Sequence, residues 1–586
     1  MCGIVAASAM TDVQDEVVAA LARVQYRGYD SFGFAWVSEQ GGLASARSTD
    51  AEAVHETCLP LSRTLLGHTR WATHGEVNLA NCHPHMSIDG DFALVHNGIV
   101  TNFEALRGAD LSFESDSRLI VELLQKQLES GAARLAGLRQ VTTLLEGRNT
   151  IVVLFADGEI LAFRQGSPLV ISKSESDDLY LASDQLAFSA TCQDYCRIAD
   201  GEFVQILAHD LVLYSNELIA RPEDWLPITE HYQASDKHGY KHFMLKEIME
   251  QWQTVPAVLK TLETVAFPQA VTLLQGARRI IVVGAGGAYF TGRQIAWLLR
   301  NKAELDAMAI PAYEYDSFAT LLGEGDVLLA VSQSGETADT MQAIERAKKA
   351  AVAVLSIINV PGSSMAELSD ISLQQYSGAE VCVLSTKSAT AQITVGYALA
   401  RSLASAQASA KRQTEARQHI QGVSHALAAE LDPTYLADCK RLATRLANHP
   451  SLYVLGRADY HAVAQVAALN IKEASYVHAE AFSAGELKHG VLALITRDVP
   501  VLVYVGKSDV FMRQVIAEVQ ARGAWVVGLL ADDACESICD ESLRLPAQGS
   551  TLSSLVPGQL LAYFIALSLE RNPDRPRNLA KSITVL

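Results

Sequence analysis

The chain has 586 residues, enough for about three to four domains of ordinary size. It is 49% hydrophobic and only 19% charged, so several cores can be buried, and general disorder and collagen-like or coiled-coil architectures are excluded. Its 47 basic and 66 acidic side chains leave a net charge of −19; no basic face is collected for duplex nucleic acid, and an anionic ligand must be held by local loops.

The nine cysteines are scattered, with no CxxC pair and no matching histidine spacing, so neither a disulfide framework nor a zinc site is expected. The chain opens Met-Cys-Gly-Ile-Val with no charged-then-apolar leader. The longest apolar run, residues 560–567, is far short of the ~18 residues of a membrane span. A cytoplasmic protein is expected.

Residues 1–220 alternate short β-rich runs (GIVAA, SFGFAWV, FALVHNG, TIVVLF, YLASD, FVQILA) with one strong helix, SRLIVELLQKQLES, after Asp116. Many strands, few helices and frequent glycine turns predict a sheet-on-sheet or layered α+β domain. Residues 221–245, which carry Pro222, Pro227 and Gly239, read as a linker.

Beyond the linker the texture changes to strand–helix units, and an internal repeat emerges. IIVVG at 280–284 recurs as LYVLG at 452–456, LLAV at 328–331 as VLVYV at 501–505, and VAVLSIIN at 352–359 as AWVVGLLA at 524–531. Three apolar strands in one order at an offset near 172 predict a duplicated α/β domain with parallel sheets, over 246–425 and 435–573. A helical stretch over roughly 395–430 joins the copies, and residues 574–586 form a tail.

In the first copy, strand Asp326–Val331 empties into SQSGETADT and then a helix. Hydroxyls from Ser332, Ser334 and Thr337, a Gly335 that lets backbone N–H groups converge, and the helix dipole together make an anion cradle. A plain Ser/Thr helix cap needs fewer of these groups. With no Walker lysine, a sugar phosphate suits this loop better than a nucleotide. The second copy has YVGKSD instead. GAGGAYFTG at 284–292 has no acidic residue at the dinucleotide spacing and is expected to line a pocket with backbone.

Cys2 becomes the first residue once Met1 is removed. An α-amino group titrating near ~8 beside a thiol near ~8.5 supplies both base and nucleophile. An incidental cysteine is the simpler account until the neighbouring motifs are weighed: YRGYDS (26–31), HTRWATHG (68–75), NCHPH (81–85), HNG (96–98) and Ser115-Asp116.

These motifs resemble the N-terminal-nucleophile glutaminase domain, a layered αββα fold. SQSGETADT, the two repeats, KEASYVHAEAFSAGELKHG (472–490) and DRPRNLAKSITVL (574–586) are similar to the sugar-isomerase half of the glutamine–fructose-6-phosphate aminotransferase family. The likeness spans essentially the whole chain. It implies an enzyme transferring the amide nitrogen of L-glutamine to D-fructose 6-phosphate, with ammonia passed between two sites. Cys2 would be the nucleophile, with Asn97 and Gly98 as the oxyanion hole. Arg70 would hold the α-carboxylate of glutamine and Asp116 its α-ammonium; Trp71, Thr73, His74 and Gly75 would line the pocket, Trp71 as the gate of the ammonia path. His83 and His96 are read as structural. In the sugar half, Lys581 would form the Schiff base, Glu473 would move a proton between C1 and C2, and His489 of a neighbouring subunit would assist ring opening. Ser332, Gln333, Ser334 and Thr337 would hold the phosphate and Ser385 the sugar hydroxyls. The resemblance implies a homodimer and no metal or cofactor.

The chain departs from the family pattern at three places. Asn470 stands where the family has a lysine, Gly287-Ala288 where it has Thr-Ser, and Val491 where it has a proline. Losing a cation and hydroxyls near an anionic ligand weakens binding or changes which sugar fits. A paralogue aminating another ketose phosphate or sugar, or a sugar-phosphate sensor, are therefore the alternatives.

Overall fold

A computed structural model describes residues 2–72, 75–107, 115–228, 237–403 and 409–581. Two compact units divide the chain, residues 1–236 with the last seven, and Lys237–Leu579.

The first unit is built on two antiparallel sheets. One runs in the order Trp225–Pro227, Cys192–Arg197, Val170–Ser174, Leu179–Ala182, Gly3–Ser8, Thr64–Arg70, Ser31–Val37, Leu43–Ser48. The other runs Ala220–Arg221, Asp210–Tyr214, Phe203–Leu207, Ile160–Phe163, Gly147–Phe155, Phe92–Val100, His85–Met86. Period-2 alternation explains how they stack. Along Gly3–Ser8, Val5 and Ala7 face Val17, Val18 and Leu21 of helix Gln14–Arg23, whereas Ile4 and Ala6 face Val95, Val152 and Leu154 of the second sheet. That sheet turns Leu94, Ile151 and Val153 the other way, onto Leu119, Ile120 and Leu124 of helix Asp116–Glu129 and Leu138 and Val141 of helix Arg134–Leu144. The layers are thus helix, sheet, sheet, helix.

Besides the short helix Phe103–Arg107, two longer helices here were not expected, Gln14–Arg23 and Arg134–Leu144. Each buries only four residues: Gly137 and Thr142 blur the apolar period of Arg134–Leu144, while the buried Val17, Val18, Ala20 and Leu21 of Gln14–Arg23 span little more than one turn. The segment expected as a linker also contributes edge strand: Trp225–Pro227 pairs with Asp194–Cys196 despite its proline, which an edge position tolerates.

The second unit holds two five-stranded parallel sheets of identical topology. The first runs Ala307–Pro311, Arg279–Gly284, Asp326–Val331, Ala353–Ile358, Ile371–Gln374; the second runs His478–Ser483, Ser451–Gly456, Pro500–Val505, Trp525–Leu530, Glu541–Arg544. The six strands read from the repeat are all present, and each copy adds two outer strands that the pattern did not disclose. Both faces are covered, which is why the inner strands are apolar without alternation. One face of each sheet shares a single core, with Val282 and Leu329 of one copy and Val454 and Leu502 of the other among its members. The remaining faces pack on the helices Ala338–Lys349 and Val510–Gln520. The joining stretch comprises helices Lys387–Ser402 and Ser409–Glu430. Helix Leu555–Ser568, apolar all round, is buried against Asp459–Ser475 and Pro433–Leu446. Among the described residues no helix is long and apolar enough to cross a membrane.

Candidate functional site

In the first unit, Cys2 is buried and enters the first strand beside Asn97 of strand Phe92–Val100. Its backbone N–H donates to Asn97 Oδ1 at 3.3 Å, and Asn97 Nδ2 donates to the Cys2 carbonyl at 3.0 Å. The Trp71 N–H points at the sulfur, 3.4 Å away. Burial pushes the thiol above its ordinary range, and the Trp71 N–H, Arg70 and Arg27 oppose that shift. Such a thiol needs a base at hand before it can attack.

Gly98 permits the closest approach of two strands here, since a Cβ would lie 2.0 Å from the Arg148 carbonyl oxygen. Two residues on, the Val100 N–H donates to Asp116 Oδ2 at 3.1 Å, while Asp116 Oδ1 accepts from Ser117 N–H at 2.8 Å. Asp116 is therefore buried, at the start of its helix and against the strand that carries Asn97 and Gly98. Arg70 ends strand Thr64–Arg70, and its guanidinium donates to the carbonyls of Glu76 at 3.2 Å and Gly75 at 3.4 Å. Cys2, Trp71, Asn97 and Gly98 are thus assembled locally, as are Arg70 and Gly75. Thr73 and His74 lie outside the described residues. His96 spends both ring nitrogens on Ser117 and Asn149, each at 3.0 Å. His83 is packed between His68 and His85, with ring centroids 4.1 and 4.6 Å apart.

In the second unit, strands Arg279–Gly284 and Asp326–Val331 pair in parallel, so the loops beyond both lie at the point where the strand order reverses. In the 332–337 loop the Gly335 N–H donates to Ser332 Oγ at 3.0 Å, and Ser332 Oγ is 3.4 Å from Thr337 Oγ1. The Glu336 N–H donates to Ser334 Oγ at 3.2 Å. Gly335 has φ +68°, and a Cβ would meet Ser363 Oγ at 2.0 Å. Glu336 ties the loop down, accepting from Ser364 N–H and Oγ–H, both at 2.8 Å. Helix Ala338–Lys349 then starts at Thr337 with no side-chain cap of its own, which leaves its first N–H groups directed at the loop.

Ser385 faces Gly287, although 98 positions separate them: a Cβ on Gly287 would stand 3.2 Å from Ser385 Cβ. Glu473 is half-buried in the last turn of Asp459–Ser475, and buried Asn470 donates to its Oε2 at 3.5 Å. His489 is exposed on the short turn Glu486–His489, and Lys581 is half-buried in the tail, among the last seven residues, which group with the first unit.

A SIS domain model matches residues 273–402 and again 445–568. Glutamine–fructose-6-phosphate aminotransferases (isomerizing) of Vibrio vulnificus and Streptomyces coelicolor are 34% and 35% identical to the chain, over 100% of this chain and of theirs. The chain belongs to the glutamine–fructose-6-phosphate aminotransferase family. The solved C-terminal domain of glucosamine-fructose-6-phosphate aminotransferase from Francisella tularensis is 30% identical, with a TM-score of 0.52, and covers 58% of this chain and 100% of its own.

Among members of this aminotransferase family, the chain carries supporting residues that sequence reasoning missed. Around Cys2 they are Arg27, whose Nε donates to the Cys2 carbonyl at 3.3 Å and which pairs with Asp184 at 3.2 Å, and Asp30, whose Oδ2 accepts from the Ala72 N–H at 2.8 Å. Both belong to YRGYDS, a motif whose individual roles its spacing did not disclose. Around Ser385, the buried Glu380 accepts from Thr386 and Ser388 through both their N–H and hydroxyl groups, over 2.7–3.0 Å. Glu247 adds bonds to the N–H groups of Val381 at 2.6 Å and Cys382 at 3.1 Å. Burial opposes charge on Lys387, but Glu247 and the Glu250 partner at 2.9 Å raise its ammonium above the ordinary range.

Proposed function

We propose that the chain is a glutamine-dependent amidotransferase and isomerase that converts D-fructose 6-phosphate and L-glutamine into D-glucosamine 6-phosphate and L-glutamate. The observation that carries this reading is the end-to-end match to aminotransferases named for these two substrates. In it, residues 1–220 are the glutaminase domain, 246–425 and 435–573 the sugar-isomerase domains, and 574–586 a tail completing the sugar site.

After loss of Met1, the α-amino group of Cys2 takes the thiol proton, and the sulfur adds to the side-chain amide carbon of glutamine. Asn97 and the Gly98 N–H stabilise the oxyanion, with Arg70 and Asp116 holding the α-carboxylate and α-ammonium. Thr73, His74 and Gly75 complete the pocket. Ammonia leaves, and water then frees glutamate from the sulfur. Ammonia reaching bulk water would be protonated and lose its nucleophilicity, so a gated path with Trp71 at its mouth is part of the reading.

At the sugar site, His489 of a second copy assists ring opening, and the Lys581 amine condenses with the C2 carbonyl, releasing water. Ammonia displaces Lys581, and Glu473 shifts a proton from C1 to C2 to give the aldose. Ser332, Gln333, Ser334 and Thr337 hold the phosphate, and Ser385 meets a hydroxyl. The reading is of a cytoplasmic homodimer that needs no metal, cofactor, nucleic acid or membrane.

One observation favours a second reading, a paralogue with a different acceptor: Gly287 lets Ser385 stand closer than a side chain there would allow, which moves a hydroxyl into the place of the family's Thr-Ser pair. Mass-spectrometric product analysis of the Met-processed protein separates the two. Glucosamine 6-phosphate formed in step with glutamate supports the first; glutamate without that sugar, and a new amino sugar from another ketose phosphate, supports the second. Cys2→Ala is expected to abolish glutamine-driven synthesis while ammonia-driven synthesis survives, and continued use of glutamine would refute the nucleophile.

A further inference from the structure

The second repeat carries an open cavity of about 1220 Å³ where the first has its phosphate loop. The same three connections build it: those after Ser451–Gly456, after Pro500–Val505 and after the last strand, Glu541–Arg544. Helix Ser409–Glu430 roofs it through Gln418, His419 and Glu430. It therefore lies beyond the carboxyl ends of the strands at the reversal of strand order, where open parallel sheets take ligands.

Four non-glycine residues in its wall have positive φ: Ala458 (53°), Ser508 (54°), Ala547 (51°) and Gln548 (54°). Ala458 is the counterpart of Gly286, with ψ −119° against −127°, so the second copy keeps this backbone conformation without the glycine that makes it easy. Strain concentrated in the wall of one cavity points to a shape retained for use rather than for packing.

The charges in that wall differ from those of the first copy. Helix Val510–Gln520, counterpart of the helix at the phosphate loop, is capped by Asp509, whose Oδ1 accepts from the Met512 N–H at 3.2 Å and lies 3.6 Å from Arg457. A carboxylate stands where the first repeat presents hydroxyls and open N–H groups, so a phosphate cannot take the equivalent position. Lys507, exposed and donating to Gln548 Oε1 at 2.9 Å, offers a cation in a wall that also holds Asp459 and Glu430. Burial pushes the Asp459 carboxyl up, and such a group gains from a cationic partner.

A wall with both signs of charge is complementary to a ligand that carries both. We propose that this cavity is a second binding site, for an amino sugar phosphate, with the ammonium against Asp459 and the phosphate at Lys507. The cavity and its charges stand on the structure alone; that the ligand belongs to the product's class rests on the function proposed above. A ketose phosphate lacks the ammonium and inorganic phosphate lacks the hydroxyls, so both bind here more weakly.

Calorimetric titration of the full-length protein with D-glucosamine 6-phosphate tests this, using Ser334→Asp to close the phosphate loop of the first copy. Two equivalents per chain are expected in the unaltered protein and one in Ser334→Asp. In the Ser334→Asp background, Asp459→Asn and Lys507→Gln should each weaken the remaining site at least ~10-fold, and fructose 6-phosphate should bind at least ~10-fold more weakly than the amino sugar. One equivalent in the unaltered protein and none in Ser334→Asp overturns the second site, as does an affinity untouched by both wall substitutions. Two equivalents retained in Ser334→Asp, with one weakened by Asp459→Asn, uphold it and refute the phosphate loop instead. Because the ligand is added rather than made, failure of turnover leaves this test intact.

Discussion

The two repeats of the second unit have the same strand order, but they end their central strands differently. After Val331 the chain presents hydroxyls, a left-handed glycine and an uncapped helix start, anchored by Glu336 on Ser364. After Val505 it presents glycine, lysine and an aspartate that caps the next helix itself. Sheet and core are set by the apolar strands, which are interchangeable in kind. The chemistry is set by six residues at one strand end, where no core packing constrains the choice. Duplication of a fold therefore does not duplicate the loops at its strand ends.

The largest effect should come from putting a charge into each of these loops. Ser334→Asp sets a carboxylate against the sugar phosphate and should raise KM for fructose 6-phosphate by about 100-fold or more, whereas Ser508→Asp should leave it within about twofold. Steady-state kinetics at saturating glutamine decides; equal effects would mean that the phosphate does not distinguish the repeats. Next comes the backbone. Gly335→Ala must hold φ +68° and displace Ser363, so a loss of about 1–3 kcal/mol is expected. Gly506→Ala meets only a Tyr460 ring carbon at 3.2 Å and should cost about 1 kcal/mol or less. Denaturant unfolding measures both, and a reversed order would break the comparison.

What the sequence disclosed follows from where the signal is local. Apolar strands read themselves, because continuous runs such as IIVVG and LYVLG have no other stable home than a covered parallel sheet. Outer strands such as Ile371–Gln374 and Glu541–Arg544 are short and half polar, and nothing in four residues separates them from loop. Cys2, Asn97 and the serine loop could be singled out as candidates because their residue types suggest chemistry before any fold is known. Gly287 facing Ser385, and Glu380 holding the turn that carries it, were not: both depend on contacts that only the folded chain makes. Helix Gln14–Arg23 was missed for a third reason, since its buried face, Val17, Val18, Ala20 and Leu21, spans little more than one turn.

A smaller contrast tests how far the likeness of the repeats extends. Asp370 and Asp540 each precede the last strand of their sheet, and each accepts at 2.8 Å from a backbone N–H one strand over, Val354 and Val526 respectively. Only Asp370 also meets a lysine, Lys348 at 2.7 Å. Burial raises the Asp370 carboxyl, but the Lys348 and Val354 bonds outweigh it and hold the group below its usual range. The folded chain therefore binds this proton less tightly than the unfolded chain does. The stability it contributes is complete above the unfolded value near ~3.9 and is lost as pH falls through the lower folded value. Because the pair is nearly half exposed, solvent screening limits the lysine's share to about 0.5–1 kcal/mol. Asp370→Asn should thus cost more than Asp540→Asn at pH 7, and Lys348→Met should bring the two costs together. If the two aspartates cost the same with Lys348 in place, the shared backbone bond carries the whole effect and the repeats are equivalent at this position.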